Sequence, residues 1–87
     1  MEASAFYQGE SEGLGEVFLD EVQQGLEQLK VHQRIGREIL PEVRRFLVSR
    51  FPYSIVYRIA NDRRRERIFV LAVAHQKRRP RYWAKRV

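Results

Sequence analysis

RIFVLAVAHQKRRPRYW, residues 67–83, is the stretch on which the fold turns. Its first part, residues 67–74, is apolar on both faces: Ile68, Val70, Ala72 and Ala74 alternate with Phe69, Leu71 and Val73. A run this rich in β-branched residues predicts a central strand covered on both sides. The run stops at His75 and gives way to cations, then to Pro80, Tyr82 and Trp83. The strand thus carries a histidine and a basic, aromatic tail at its own end, and the working part of the molecule is expected at that junction.

Two further strands precede it. Residues 54–60 set Ile55, Tyr57 and Ile59 against Val56 and Arg58, and residues 43–49 set Phe46 and Val48 against Leu47. The sequence RFPY at 50–53 reads as a turn, because proline fixes φ and lacks a donor. Residues 61–66 form a polar tip with Arg63, Arg64 and Arg65. Consecutive strands with short connections predict an antiparallel meander of about three strands. Residues 32–42 contain Gly36 and Pro41, lose periodicity and read as a loop.

The strongest helix is residues 16–31, where Phe18, Val22, Leu26 and Leu29 recur on one stripe. Gly25 falls on the apolar side, where its missing side chain permits close approach of another element. Residues 9–15 read as a linker and residues 1–8 as a short helical remnant with Ala3, Phe6 and Tyr7. The fold class is therefore α+β: helices on one face of a small twisted antiparallel sheet. One helical stripe covers one face only. The other face of the last strand, with Phe69, Leu71 and Val73, needs either the Tyr82–Trp83 tail or a partner to cover it.

The chain of 87 residues makes a single domain, 1–87. Absence of cysteine excludes disulfides and thiolate metal sites. His32 and His75 show no metal-ligand spacing, so no metal or cofactor is expected. No apolar run reaches membrane-spanning length and no signal-peptide pattern is present, so no membrane partner is expected and the cytoplasm is the expected location. Charge is uneven. Residues 1–43 hold three cations against nine acids, a net −6; residues 44–87 hold fourteen against two, a net +12. That polarity points to a basic working surface in the C-terminal half.

Basic side chains interleaved with aromatics are the clearest constellation. Arg44, Arg45, Arg50, Arg58, Lys77, Arg78, Arg79 and Arg81 accompany Phe51, Tyr53, Tyr57, Tyr82 and Trp83, with Tyr57 reading as core. Arginine forks hold phosphates and rings stack on bases, so an anionic partner is expected, whether nucleic acid or acidic protein. His75 is the candidate acid–base group: with Arg58 and Arg78 or Arg79 it would supply the parts of metal-free RNA cleavage. There is no Ser-His-Asp order, no Gly-rich phosphate loop and no paired-carboxylate motif.

Taken in order, these pieces resemble the RelE/ParE toxin superfamily of type II toxin–antitoxin modules. The resemblance runs over about residues 3–83. It rests on Gly13-Leu14-Gly15 with Phe18, Val22, Leu26 and Leu29, on RFPYSIVYR at 50–58, and on AVAH at 72–75 followed by RRPRYW at 78–83. It implies a helical hairpin, its first helix short, packed on the sheet. The strand with which such proteins usually open has no counterpart here.

The resemblance further implies a growth-inhibiting toxin neutralised by a cognate antitoxin. Its target is either DNA gyrase, without enzymatic activity, or mRNA on the ribosome, cleaved without metal by His75 and Arg58. Target or nucleic-acid contacts are expected from Arg44, Arg45, Arg50, Lys77, Arg78, Arg79, Arg81, Tyr82 and Trp83. The antitoxin, with an acidic tail disordered when free, is expected on Phe69, Leu71 and Val73. The alternative is an inactive basic binding module for nucleic acid or an acidic protein.

Overall fold

The computed structural model describes Ala3, Ser4 and residues 13–76. Gly13, at φ 82°, turns the chain into helix α1, Leu14–Val31. A residue with no Cβ takes that left-handed conformation at little cost. Glu16 in the first turn and Lys30 in the last complement the helix dipole. Four strands follow: β1 (Arg37–Leu40), β2 (Val43–Leu47), β3 (Tyr53–Asp62) and β4 (Arg65–His75). They form one antiparallel sheet in the order β1-β2-β3-β4. Of the predicted first helix, Ala3 and Ser4 are helical and Ala3 is buried in the core; Phe6, Tyr7 and the tail from residue 77 lie outside the described residues.

The helix lies on one face of the sheet. Phe18, Val22 and Leu29 descend onto Val48, Ile55 and Tyr57, with Phe46, Ile59 and Val73 around them. Phe18 and Leu29 are fully buried, each contributing about 1.5–3 kcal/mol by removal from water. Phe18 meets Phe51 and Tyr53 edge-on, each at 5.1 Å between ring centroids. Gly25 brings the two layers close, as its position on the stripe predicts. A Cβ there would stand 3.0 Å from Ile55 Cδ1 and 3.4 Å from Phe46 Cε2.

Three features differ from expectation. The first is strand order. β4 is not central: within the described sheet it pairs with β3 alone, whereas β2 and β3 are the inner strands and residues 54–57 of β3 are all buried. Phe69 and Val70 of β4 are 42% and 46% exposed. An apolar run records that a strand is partly covered, but not where in the sheet it stands.

The second is β1, which arises where a loop is expected. Pro41 and Glu42 close a two-residue connection to β2, and Glu42 takes φ 64°, a position that glycine more often fills. A strand of four residues reading REIL offers no periodicity long enough to recognise.

The third is a register shift in β4. Val56 pairs with Ala72 but Tyr57 with Val70, so β4 carries one residue more than β3 between these pairs, Leu71. This β-bulge shifts the alternation by one place. Val73 and His75 therefore lie on the helix face with Ile55 and Tyr53, whereas Phe69 shares the far face with Arg58. Phe69, Leu71 and Val73 are thus not one face: Val73 packs under the helix, and Leu71 packs with Val43, Val56, Ala72 and Ala74 on the other side.

The connection between α1 and β1 is pinned from beneath. Tyr57, fully buried, donates its hydroxyl to the Gln33 carbonyl at 2.5 Å and accepts from the Gly36 amide at 3.0 Å. From the rim, Arg34 donates two hydrogen bonds to the Glu66 carboxylate, at 3.1 and 2.6 Å, and the Gln33 side-chain amide donates to the Glu66 carbonyl at 3.0 Å.

The Arg34 hydrogen bonds hold the Glu66 carboxyl below its ordinary range, and they raise the Arg34 guanidinium. A depressed carboxylate adds stability that is present above its unfolded pKa and is lost as pH falls through the folded one. The Glu66 carboxyl carbon, followed by NMR, should therefore titrate below an ordinary glutamate. In Arg34→Ala the midpoint should return toward the ordinary glutamate range. An unchanged midpoint would show that the pair does not persist in solution.

Candidate functional site: the arginine face of the sheet

The face of the sheet turned away from α1 gathers most of its arginines. Directly opposed residues on antiparallel strands share a face. Register therefore sets Arg37 beside Arg45, Arg45 beside Val56, Arg58 between Val43 and Phe69, Arg67 beside Ala60, and Arg65 beside Asp62. At its centre is a buried apolar island of Val43, Val56, Ala72 and Ala74. Arg58 is half-buried, its guanidinium carbon 4.9 Å from the centroid of the Phe69 ring. The cation–π contact fixes the plane of the fork and leaves its N–H donors for a ligand. Among the described residues, Asp62 is the one carboxylate that register places on this face, and it lies 3.6 Å from Arg67.

The expected site residues separate. Arg45 and Arg58 stand on this face. Arg44, one place along, points to the helix side, where it donates to the carbonyls of Gly36 at 2.8 Å and Arg34 at 3.3 Å and lies 3.9 Å from Glu38. It holds the α1–β1 connection, so its expected target contact is replaced by a structural one. Arg50, at φ 72° in the β2–β3 loop, is exposed and lies 3.8 Å from Glu21 of the helix. Lys77, Arg78, Arg79, Arg81, Tyr82 and Trp83 lie outside the described residues.

His75 is on the helix face. Its ring stands edge-on to Tyr53 at 5.0 Å and extends the ring series from Phe18. Arg58 faces the other way, five residues along β3 from the Tyr53 that pairs with His75. At about 3.4 Å per residue the two are well over 15 Å apart. The expected cooperation of His75 with Arg58 in one catalytic site is therefore not formed. Five residues of strand separate them, and the bulge at Leu71 turns the end of β4 to the helix side as well.

Arg37, Arg65 and Arg67, none of them among the contacts expected from sequence, complete the face. Arg67 and Arg65 were legible once alternation is counted back from Phe69; Arg37 lay in a segment without a strand signal.

Chemically, the face offers fixed guanidinium groups around an apolar patch. It can hold phosphates or carboxylates, and among the described residues it carries no imidazole. No group of three or more His, Asp or Glu among the described residues could hold a metal ion, and no helix there is long and apolar enough to cross a membrane.

Residues 4–80 match the family model described as ParE toxin of type II toxin-antitoxin system, parDE. No curated protein and no solved structure is similar enough to count as a match.

Proposed function

The chain belongs to the ParE toxin family of type II toxin–antitoxin systems, and from that premise we propose that it arrests growth by binding DNA gyrase in the cytoplasm rather than by cutting RNA. The observation that carries this reading is the separation of His75 from Arg58 onto opposite faces of the sheet. Metal-free RNA cleavage needs a base, an acid and cations around one phosphate. The arginine face supplies the cations alone. What remains is a surface that grips by charge and shape, with Arg37, Arg45, Arg58 and Arg67 around an apolar centre.

Toxins of this family pair with cognate antitoxins. On this reading the antitoxin carries an acidic segment, disordered when free, that packs apolar side chains against Phe69 and Leu71 and sets carboxylates against Arg58. It silences the toxin by covering the face that meets the target.

Inducible expression without the antitoxin, beside a supercoiling assay with purified gyrase and primer extension on cellular mRNA, tests the reading. Growth arrest, inhibited supercoiling and intact message are expected, and His75→Ala should leave arrest within about twofold, as a residue outside the contact should. Cut message together with a loss of about 100-fold or more in His75→Ala would establish the ribosome-dependent nuclease instead. Normal growth at confirmed soluble expression would leave a basic binding module.

A further inference from the structure

The β3–β4 hairpin outruns the rest of the sheet. β2 pairs with residues 54–58 of β3, and beyond Arg58 β3 pairs with β4 alone among the described residues. Residues 59–62 and 65–68 thus make a two-stranded ribbon, closed by Arg63 and Arg64. On the helix side the ribbon is braced at Glu66, which accepts hydrogen bonds from Gln33 and Arg34. Residues 63–67 are all exposed. Two independent features mark this tip.

The first is strain. Asp62 pairs with Arg65, so Arg63 and Arg64 are the two central residues of the hairpin turn, and both have positive φ, 50° and 70°. That is a type I′ turn, whose usual occupants are Asn-Gly or Asp-Gly. Two arginines hold a conformation that disfavours a Cβ at both places. Departures of this kind collect where a site needs the side chains.

The second feature is composition. Residues 61–67 read NDRRRER, without one apolar side chain. Asp62 lies 3.6 Å from Arg67 and Glu66 lies 2.6 Å from Arg34, so both carboxylates are already answered. Arg63, Arg64 and Arg65 form no ion pair among the described residues, which leaves three unneutralised guanidinium groups in succession. A protein interface is built around an apolar centre with aromatic rings and few charges, and the tip has none to offer. Nucleic acid needs no such centre, because phosphates and base edges are met by hydrogen-bond donors. A two-stranded ribbon also has the width that the major groove of B-DNA admits, about 12 Å.

We propose that the tip of the β3–β4 hairpin enters the major groove of the duplex DNA that gyrase holds, with Arg63 and Arg64 at the base edges and Arg65 against a phosphate strand at the rim. This rests on the gyrase reading above and deepens it. Register sets Arg65 on the same side of the sheet as Arg67 and Arg58, so the ribbon carries the arginine face outward onto the DNA. The brace at Glu66 holds the ribbon in place before binding, which lowers the cost of ordering it.

The turn provides a test in which the variant folds better than the parent. Arg63→Asn/Arg64→Gly installs the residues that a type I′ turn favours and removes two forks. Its melting temperature should rise by about 5 °C. Its affinity for a short fluorescent DNA duplex, measured by anisotropy at low salt, should fall by about tenfold or more, and its inhibition of gyrase supercoiling should weaken by a similar factor. Arg65→Gln leaves the turn unchanged, and its log affinity should fall less steeply with log salt, by about one unit of slope. The parent should bind the same sequence as duplex RNA about tenfold more weakly than as DNA, because the A-form major groove is too deep and narrow for side chains to read.

Parental DNA affinity in both variants, or equal affinity of the parent for the DNA and RNA duplexes, overturns the groove contact, and inhibition of supercoiling by the parent then leaves the gyrase reading standing. Lost DNA affinity with parental inhibition of gyrase also overturns it. A parent that leaves supercoiling unchanged overturns the gyrase reading, and with it the source of the duplex, whereas the free-duplex comparison still decides the groove contact.

Discussion

Tyr57→Phe is expected to destabilise the protein by about 1–3 kcal/mol, although it removes a single oxygen. That oxygen satisfies the buried Gly36 amide and the Gln33 carbonyl at once, and the ring that carries it is fully buried. Phenylalanine fills the same space and leaves both backbone groups facing apolar carbon. In a domain of this size the melting temperature should fall by roughly 4–8 °C for each kcal/mol.

Gly36→Ala attacks the same knot from above. Its Cβ would stand 2.5 Å from the Tyr57 hydroxyl and 2.8 Å from the Arg45 carbonyl. In the double variant the two costs should sum to less than their separate values, because loss of the hydroxyl opens part of the room that the methyl needs. Thermal melts of the three variants decide it. A Tyr57→Phe melt that coincides with the parent's would show that the α1–β1 connection does not depend on this hydroxyl.

Charge reversal on the arginine face should have the largest functional effect. Arg45→Glu/Arg58→Glu places two carboxylates where register sets two guanidinium groups beside the apolar island. Reversal turns attraction into repulsion at both points, and the inhibition of gyrase supercoiling should weaken by about 100-fold or more, with growth restored on induction. Arg58→Lys should fall between the two proteins. It keeps the charge but gives up the planar stack on Phe69 and the paired donors. Melting curves show whether each variant is folded. A folded double variant that still arrests growth would remove this face from the mechanism.

Much of this architecture is written in the chain at the level of period. The stripe of Phe18, Val22, Leu26 and Leu29 predicts α1, and the alternation of Ile55, Tyr57 and Ile59 predicts both β3 and its helix-facing side. Gly25 on the stripe foretells the close contact with Ile55. Strand order was not legible, because an apolar run looks the same whether it is flanked by two strands or by one. β1 is too short to show a period, and its turn carries glutamate where glycine would have signalled it.

The site was legible in kind but not in grouping. Arginine content predicts an anion-binding surface. Whether a given arginine belongs to the candidate face depends on parity along the strand, so Arg45 lies on the side away from α1 while its neighbour Arg44 closes onto Gly36 and Arg34. The role of Tyr57 as a double hydrogen-bonding anchor has no local signal at all, since its partners lie 21 and 24 residues away in sequence.

The extra residue at Leu71 has a consequence for how this strand can change over time. Val70 and Ala72 already oppose adjacent residues of β3, Tyr57 and Val56. A descendant that dropped Leu71 would keep each of those pairings and each side chain's orientation. Loss of a residue further from the bulge would turn the side chains between the gap and the bulge inside out. Length is therefore free to drift at one point of the strand, and a gap at that point in a related chain would mark a straightened edge rather than a different fold.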